Sequence, residues 1–179
     1  MLKSSWRGFA IVFASALPFS SNLAEGAFAQ VQKSAHILNL ELAMDAANEA
    51  IHVCADMGWS VSVSIVDAAG NVKLQAKGDY SAIHTKDASF RKAYTTVAYA
   101  PLFHFNKLSE WVEALKSNPS ASAYATLPNI FLLPGAVAIK DGDEVIAAIG
   151  VGGAPGGDKD EMCAEAGLAK IKDRLAKGR

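Results

Sequence analysis

Four histidines, one adjacent pair of cations and one cluster of acids are the side chains of this chain best suited to chemistry. His36, His52, His84 and His104 could each bind a metal or move a proton near neutral pH. Arg91 and Lys92 offer charge-assisted hydrogen bonds to a carboxylate. The same two residues also read as a solvated helix face, with Arg91 in a surface ion pair. Asp158, Asp160, Glu161 and Glu165 could gather round a hard cation. Asp158 and Glu161, however, have the spacing of a capping box, which accounts for them without a metal. Gly152, Gly153, Gly156 and Gly157 surround Pro155, but no Gly-Lys-Ser/Thr follows and no βαβ unit encloses them, which argues against a phosphate or dinucleotide loop. No nucleophile, base and orienting group form a legible triad. Cys54 and Cys163 belong to no Cys/His cluster, which argues against structural zinc. They suit either a disulfide between neighbouring helices or two small buried apolar positions.

The elements that must position these groups follow from hydrophobic period. Leu42, Ala46, Ala50, Val53 and Met57 recur at helical spacing, so a helix is expected from Leu38 to Met57, ended by Gly58. Trp59 to Val66 alternates, with Val61, Val63 and Ile65 opposite Ser60, Ser62 and Ser64. A turn at Asp67 to Gly70 returns the chain as a second strand, Asn71 to Ala76. Ser81 to Tyr99 reads as a helix stopped by Pro101, and Asn106 to Ser117 as a shorter one with Leu108, Trp111, Val112 and Leu115 inward. A loop of little structure is expected from Ser117 to Ala125. Strand material follows at Phe131 to Leu133 and Ala136 to Lys140, then a turn at Asp141-Gly142-Asp143, a strand from Val145 to Val151, and a helix from an Asp158 N-cap to about Lys177. Two hairpins joined through helices predict an α+β domain, an antiparallel sheet with helices packed on it.

The first 29 residues read as a leader. Lys3 and Arg7 precede an apolar segment from Phe9 to Phe19, and Ala27-Phe28-Ala29 suits a signal peptidase, with cleavage before Gln30. The expectation is a signal peptide over 1–29, a single domain over 30–179, and a periplasmic or secreted protein. Removing Lys3, Arg7 and Glu25 from 17 basic and 18 acidic residues leaves 15 and 17, a net charge of −2. Nothing in that balance points to nucleic acid, and no stretch after the leader is long and apolar enough to span a membrane.

Taken in order and at their spacings, several segments resemble the GlcG/HbpS family of heme-binding or heme-degrading domains. They are Val63-Ser-Ile-Val-Asp67-Ala-Ala-Gly70, Lys92-Ala-Tyr-Thr-Thr96, Asp141-Gly142, Ala148-Ile-Gly-Val-Gly-Gly153 and Asp160-Glu-Met-Cys-Ala-Glu-Ala-Gly167. The resemblance covers Leu38 to the C-terminus and implies a sheet of about five antiparallel strands flanked by helices. It also implies homo-oligomers, often octamers, and heme as the cofactor, with scavenging, buffering, sensor-accessory or heme-degrading roles. Heme needs an axial ligand, an apolar slot and partners for its propionates. His84 ranks first as the iron ligand because it adjoins the Lys77-to-Tyr80 loop, where the family places its pocket. His104 follows, set between Phe103 and Phe105, while Thr85 reads as a weak oxygen ligand or a cap and Arg91 and Lys92 as propionate partners. The other reading is an enzyme or binding protein for a small organic acid or aromatic carboxylate, held by Arg91 or Lys92. Two departures from the family pattern lie near the implied pocket: Pro134-Gly-Ala-Val-Ala-Ile139 replaces a Gly-Gly-x-Pro-Ile element, and Lys77-Gly-Asp79 lacks the usual arginine before the aspartate.

Overall fold

The Asn39 side chain accepts the Leu42 amide at 2.8 Å and so starts α1, Leu40–Asp56. The computed structural model describes residues 36–175, and the leader reading lies outside them. After α1 come β1, Ser62–Asp67, and β2, Val72–Lys77, joined by a turn in which the Asp67 carboxylate accepts the Ala69 and Asn71 amides. Next are α2, Thr85–Phe103; α3, Leu108–Leu115; and a single turn of helix, α4, Ala121–Tyr124. The hairpin of β3, Ala136–Asp141, and β4, Glu144–Gly152, leads into α5, Gly157–Leu175. None of the described helices is long and apolar enough to cross a membrane.

The sheet is wholly antiparallel and has four strands in the order β2-β1-β4-β3, the two hairpins expected from period and one strand fewer than the resemblance implies. Phe131 to Leu133, expected as strand material ahead of β3, forms no strand. There the Phe131 amide donates to Thr95 Oγ1 and Arg91 donates to the Ile130 carbonyl, so backbone groups that a ladder would have used are taken by α2 side chains. Pro134, which has no amide hydrogen, follows directly.

Both faces of the sheet are covered, giving three layers. On one, Val63, Ile65, Ile149 and Val151 join the apolar residues of α1 and α5 in a single core. On the other, Val66, Ala148, Ala136 and Ala138 meet Ala93 and Val97 of α2 and Leu108 and Trp111 of α3. The alternation of β1 is therefore real, but its serine face is not solvated. Ser62 bonds Ser81 and Thr85, and Ser64 bonds Ser89, all beneath α2. Each buried hydroxyl thus keeps a partner.

Two helix boundaries differ from the sequence reading. Helix α2 passes through Pro101 and ends at His104, whose left-handed backbone (φ 55°) directs its amide to the Ala100 carbonyl at 2.9 Å. A proline two residues from the end removes one hydrogen bond and has little helix left to break. At the other boundary, α5 begins one residue before Asp158, and the capping box is not made. The Glu161 carboxylate turns inward instead.

Close approach of α2 to the sheet depends on Gly150. A Cβ there would lie 2.3 Å from the Ser89 carbonyl oxygen and 2.7 Å from the Ala93 nitrogen, both backbone atoms that cannot swing away. Gly150→Ala is expected to cost about 1–3 kcal/mol by forcing helix and strand apart. Urea unfolding of the variant beside the wild type measures this.

Candidate functional site

Two constellations come from the residues singled out in the sequence. The first is buried where α2, α5 and the Pro134-Gly135 turn meet. Lys92 is 1% exposed and its ammonium donates to Asp160 Oδ2 at 2.5 Å, while Asp160 Oδ1 accepts the Ala154 amide at 2.9 Å. Burial pushes the Asp160 carboxyl above its ordinary value, and the opposing pull of the Lys92 ammonium and the Ala154 amide does not fully offset it. Beside it, Glu161 accepts from the Ser109 amide and hydroxyl and from the Gly135 amide. Gly135 has φ +129°, and a Cβ there would fall 2.7 Å from Lys92 Nζ, so the turn closes over the pair only with glycine. The first turn of α3, the start of α5 and the middle of α2 are thereby held together.

The second constellation is aromatic and open. Trp111 of α3 stacks on Tyr99 with centroids 4.4 Å apart, on Phe103 at 5.7 Å and on Phe105 at 5.8 Å, and Tyr124 of α4 meets it edge-on at 5.4 Å. A groove of about 370 Å³ runs along this cluster, lined by Phe103, His104, Phe105, Glu110, Trp111 and Tyr124 among others. His104 sits at its lip with an exposed side chain, presented there by the left-handed turn that ends α2. Burial, with Tyr124 and Tyr94 adding to it, pushes the Tyr99 phenol upward. Half-buried Lys140 donates to Asn106 Oδ1 at 2.7 Å, next to groove-lining Phe105, and has no carboxylate partner among the described residues.

The five residues proposed from the sequence do not converge. His84 is exposed just before α2, makes no side-chain capping bond and lines none of the described cavities. Thr85 is buried, its hydroxyl donating to the Ala82 carbonyl and shared with Ser62. Arg91 donates to the Ile130 carbonyl at 2.7 Å and lies over the Phe131 ring at 4.9 Å. Lys92 is buried, and its ammonium is paired with Asp160. Of the five, only His104 lines the aromatic groove. Of the other histidines, His36 lies 3.2 Å from Asp141, and His52 lines a cavity at the end of α1.

No group of three or more metal-ligating side chains forms among the described residues. The acids that looked like a cluster point apart: Asp158 outward, Asp160 and Glu161 inward, Glu165 to Lys107. Sequence reasoning passed over Trp111, Tyr124 and Lys140, which lie far from His104 in the chain or carry no motif. The only available signal was the inward period of α3, which marks Trp111 as buried without saying beside what.

The fold has known counterparts. The family model described as haem degrading protein HbpS-like matches residues 38–169. A crystal structure of HbpS is 33% identical, with 78% of this chain and 93% of that one aligned at a TM-score of 0.67. A double mutant of Streptomyces reticuli HbpS is 31% identical, with 91% and 97% aligned at 0.68. The PduOC:heme complex, at 18% identity and a TM-score of 0.64 over 75% and 95% of the two chains, shares the fold. No curated protein matches the chain. With the match spanning nearly all of the described domain and the strand pairings in place as one unit, the chain belongs to the HbpS-like family.

Proposed function

We propose that this protein is an exported heme-binding protein that scavenges or buffers heme, with the porphyrin laid along the aromatic groove and His104 as the iron ligand. The carrying observation is His104 itself, an exposed imidazole at the lip of a groove walled by Phe103, Phe105, Trp111 and Tyr124. An imidazole beside a π-rich apolar surface fits a metalloporphyrin, which needs one axial donor and a flat apolar face. Bound there, heme would supply an iron centre with one protein ligand. The chain's own part is to stack the ring, to present His104 and to offer Lys140 to a propionate. Membership in the HbpS-like family and the shared fold of the PduOC:heme complex support the reading.

Export is supported by the leader pattern of residues 1–29 and by the Cys54–Cys163 disulfide, a bond suited to an oxidising compartment such as the periplasm or the exterior. Assembly into homo-oligomers belongs to the same proposal. The alternative, an enzyme or binder for small organic acids, has less support, since Lys92 is paired with Asp160 and Arg91 donates to the Ile130 carbonyl.

Hemin titration followed at the Soret band tests the assignment. The purified protein is expected to saturate at one heme per chain. His104→Ala is expected to weaken binding by at least about tenfold, the loss of one ligand contact worth roughly 1.4 kcal/mol, while His84→Ala leaves it unchanged. An unaffected His104→Ala beside a failed His84→Ala would move the ligand to the start of α2. A wild type that gives no Soret shift would remove heme altogether.

A further inference from the structure

The C-terminal end of α1 is electrically unbalanced. Its last turn holds no basic residue and closes on exposed Asp56, so a carboxylate stands where the helix dipole is already negative and a cation would be favoured. Between this end and the loop that follows β2 lies a cavity of about 390 Å³, lined by Ile51, His52, Trp59, Asp79 and Tyr80 among others. That volume suits a small ligand. No lysine or arginine lines the cavity, and its one acid, Asp79, is exposed. Neither Asp79 nor Asp56 has an ion-pair partner among the described residues. An anion entering here would meet a carboxylate and the negative end of a helix.

The aromatic walls suit a positive ligand as well. Trp59 is half-buried, and its ring already holds one cation, the Lys159 ammonium, 5.2 Å from the ring centroid. Tyr80 stands at the rim with 96% of its surface exposed, which a bound ligand would cover. The loop that carries it is braced: the Gly78 amide donates to the Val61 carbonyl, the Ser81 amide to the Gly78 carbonyl, and the Ser81 hydroxyl bonds Ser62. Tyr80 is also held at φ +64°, a left-handed conformation that persists in a non-glycine residue only where its surroundings enforce it. A ring displayed on a fixed backbone has little freedom to lose on binding.

We infer that this cavity binds a small organic cation of the substituted-ammonium class, with Trp59 and Tyr80 against its alkyl groups and Asp79 and the end of α1 facing its charge. None of the residues lining it lines the groove at His104, so the site is separate from the one proposed for heme.

Calorimetric titration of the purified protein with choline, and with the uncharged isostere in which a quaternary carbon replaces the nitrogen, tests the assignment. Choline is expected to bind at one site per chain, and the isostere at least about tenfold more weakly, because it fills the same space without the charge. Asp79→Asn is expected to weaken choline binding by about three- to tenfold, and Asp79→Lys to abolish it by placing a like charge in the cavity. Trp59→Leu is expected to cost about tenfold, whereas Trp59→Phe keeps a ring face and most of the affinity. Trp59 is half-buried, so far-UV circular dichroism checks that its variants fold; the exposed Asp79 carries the test if they do not. Absence of choline binding, equal binding of the isostere, or an Asp79→Lys variant that binds choline like the wild type would each overturn the inference. Displacement of choline by an equimolar amount of hemin would also overturn it, since the cavity would then belong to the porphyrin.

Discussion

Replacing Lys92 by methionine is expected to lower the stability of the fold by about 3–5 kcal/mol, the usual cost of leaving one member of a buried ion pair without its partner. The pair is buried on both sides, with side chains 1% and 5% exposed, and Asp160 lies against the Gly135 turn. Companion substitution separates the value of the pair from the penalty of breaking it. Asp160→Asn keeps an acceptor for the Ala154 amide at the same place, so Lys92→Met/Asp160→Asn removes both charges and leaves only the introduced amide NH2 without its former Lys92 partner. The double variant is expected to recover to within about 1–2 kcal/mol of the wild type, since neutral replacements of buried ion pairs are often close to neutral in stability. The pH dependence of the single variant follows from Asp160. Burial already pushes its carboxyl upward, and removing the Lys92 ammonium removes a force that pulls it down. The folded carboxyl then holds its proton to higher pH than the unfolded one. Stability of Lys92→Met is therefore greatest below the unfolded value of about 4 and falls as pH rises through the folded one. Urea midpoints between pH 4 and 8 should show the deficit against the wild type shrinking toward acid. A deficit that is small at pH 8, or that grows toward acid, would mean the pair is not the buried charge couple described here.

The layout of elements was legible because it rests on period. Val61, Val63 and Ile65 alternate as a strand must, and the spacing of Leu42, Ala46 and Ala50 fixes the inward face of α1. What the period could not show was the polarity of the second layer. Ser62 and Ser64 look solvent-facing in a strand read alone. Thr85, Ser89, Lys92 and Thr96, at spacings of four, three and four, look equally like the outer face of a helix. In the fold these two polar stripes face each other under α2, and the pairing of Ser62 with Thr85 and Ser64 with Ser89 is a tertiary fact that neither stripe states by itself. The capping box was misread for a related reason. Asp158 and Glu161 have the right spacing, but Glu161 finds three donors on α3 and the Gly135 turn, a stronger set than a single backbone amide at the helix start. The candidate site was legible in part. Phe-His-Phe announces an aromatic setting for His104, yet the groove exists only because α3 brings Trp111 and α4 brings Tyr124 to the same place. His84 drew attention by its position beside a loop, and a position in the chain carries no information about what fills the space in front of it.

Removing the Cys54–Cys163 bridge is expected to cost about 4–5 kcal/mol, because it closes a loop of about the length for which chain entropy predicts that loss. The two cysteines are 109 residues apart, one on α1 and one on α5, with Cα atoms 5.7 Å apart, and both are fully buried. Their helices pack closely enough that Gly167 of α5 has no room for a side chain against the Ala46 carbonyl of α1. The bond therefore ties the first element of the domain to the last, where the unfolded chain has most freedom to lose. Cys54→Ala/Cys163→Ala keeps small apolar groups in both places, so little of the expected loss comes from packing. Urea unfolding of this variant, and of the wild type with and without dithiothreitol, measures it, and the reduced wild type and the variant should agree. The same experiment bears on where the protein works. A domain that draws 4 kcal/mol or so from a disulfide has used a large part of the 5–15 kcal/mol available to a typical fold, and would be poorly stable in a reducing cytosol. A reduced protein that kept the oxidised midpoint, or native protein whose two thiols reacted freely with a thiol reagent, would leave the leader pattern as the only support for export.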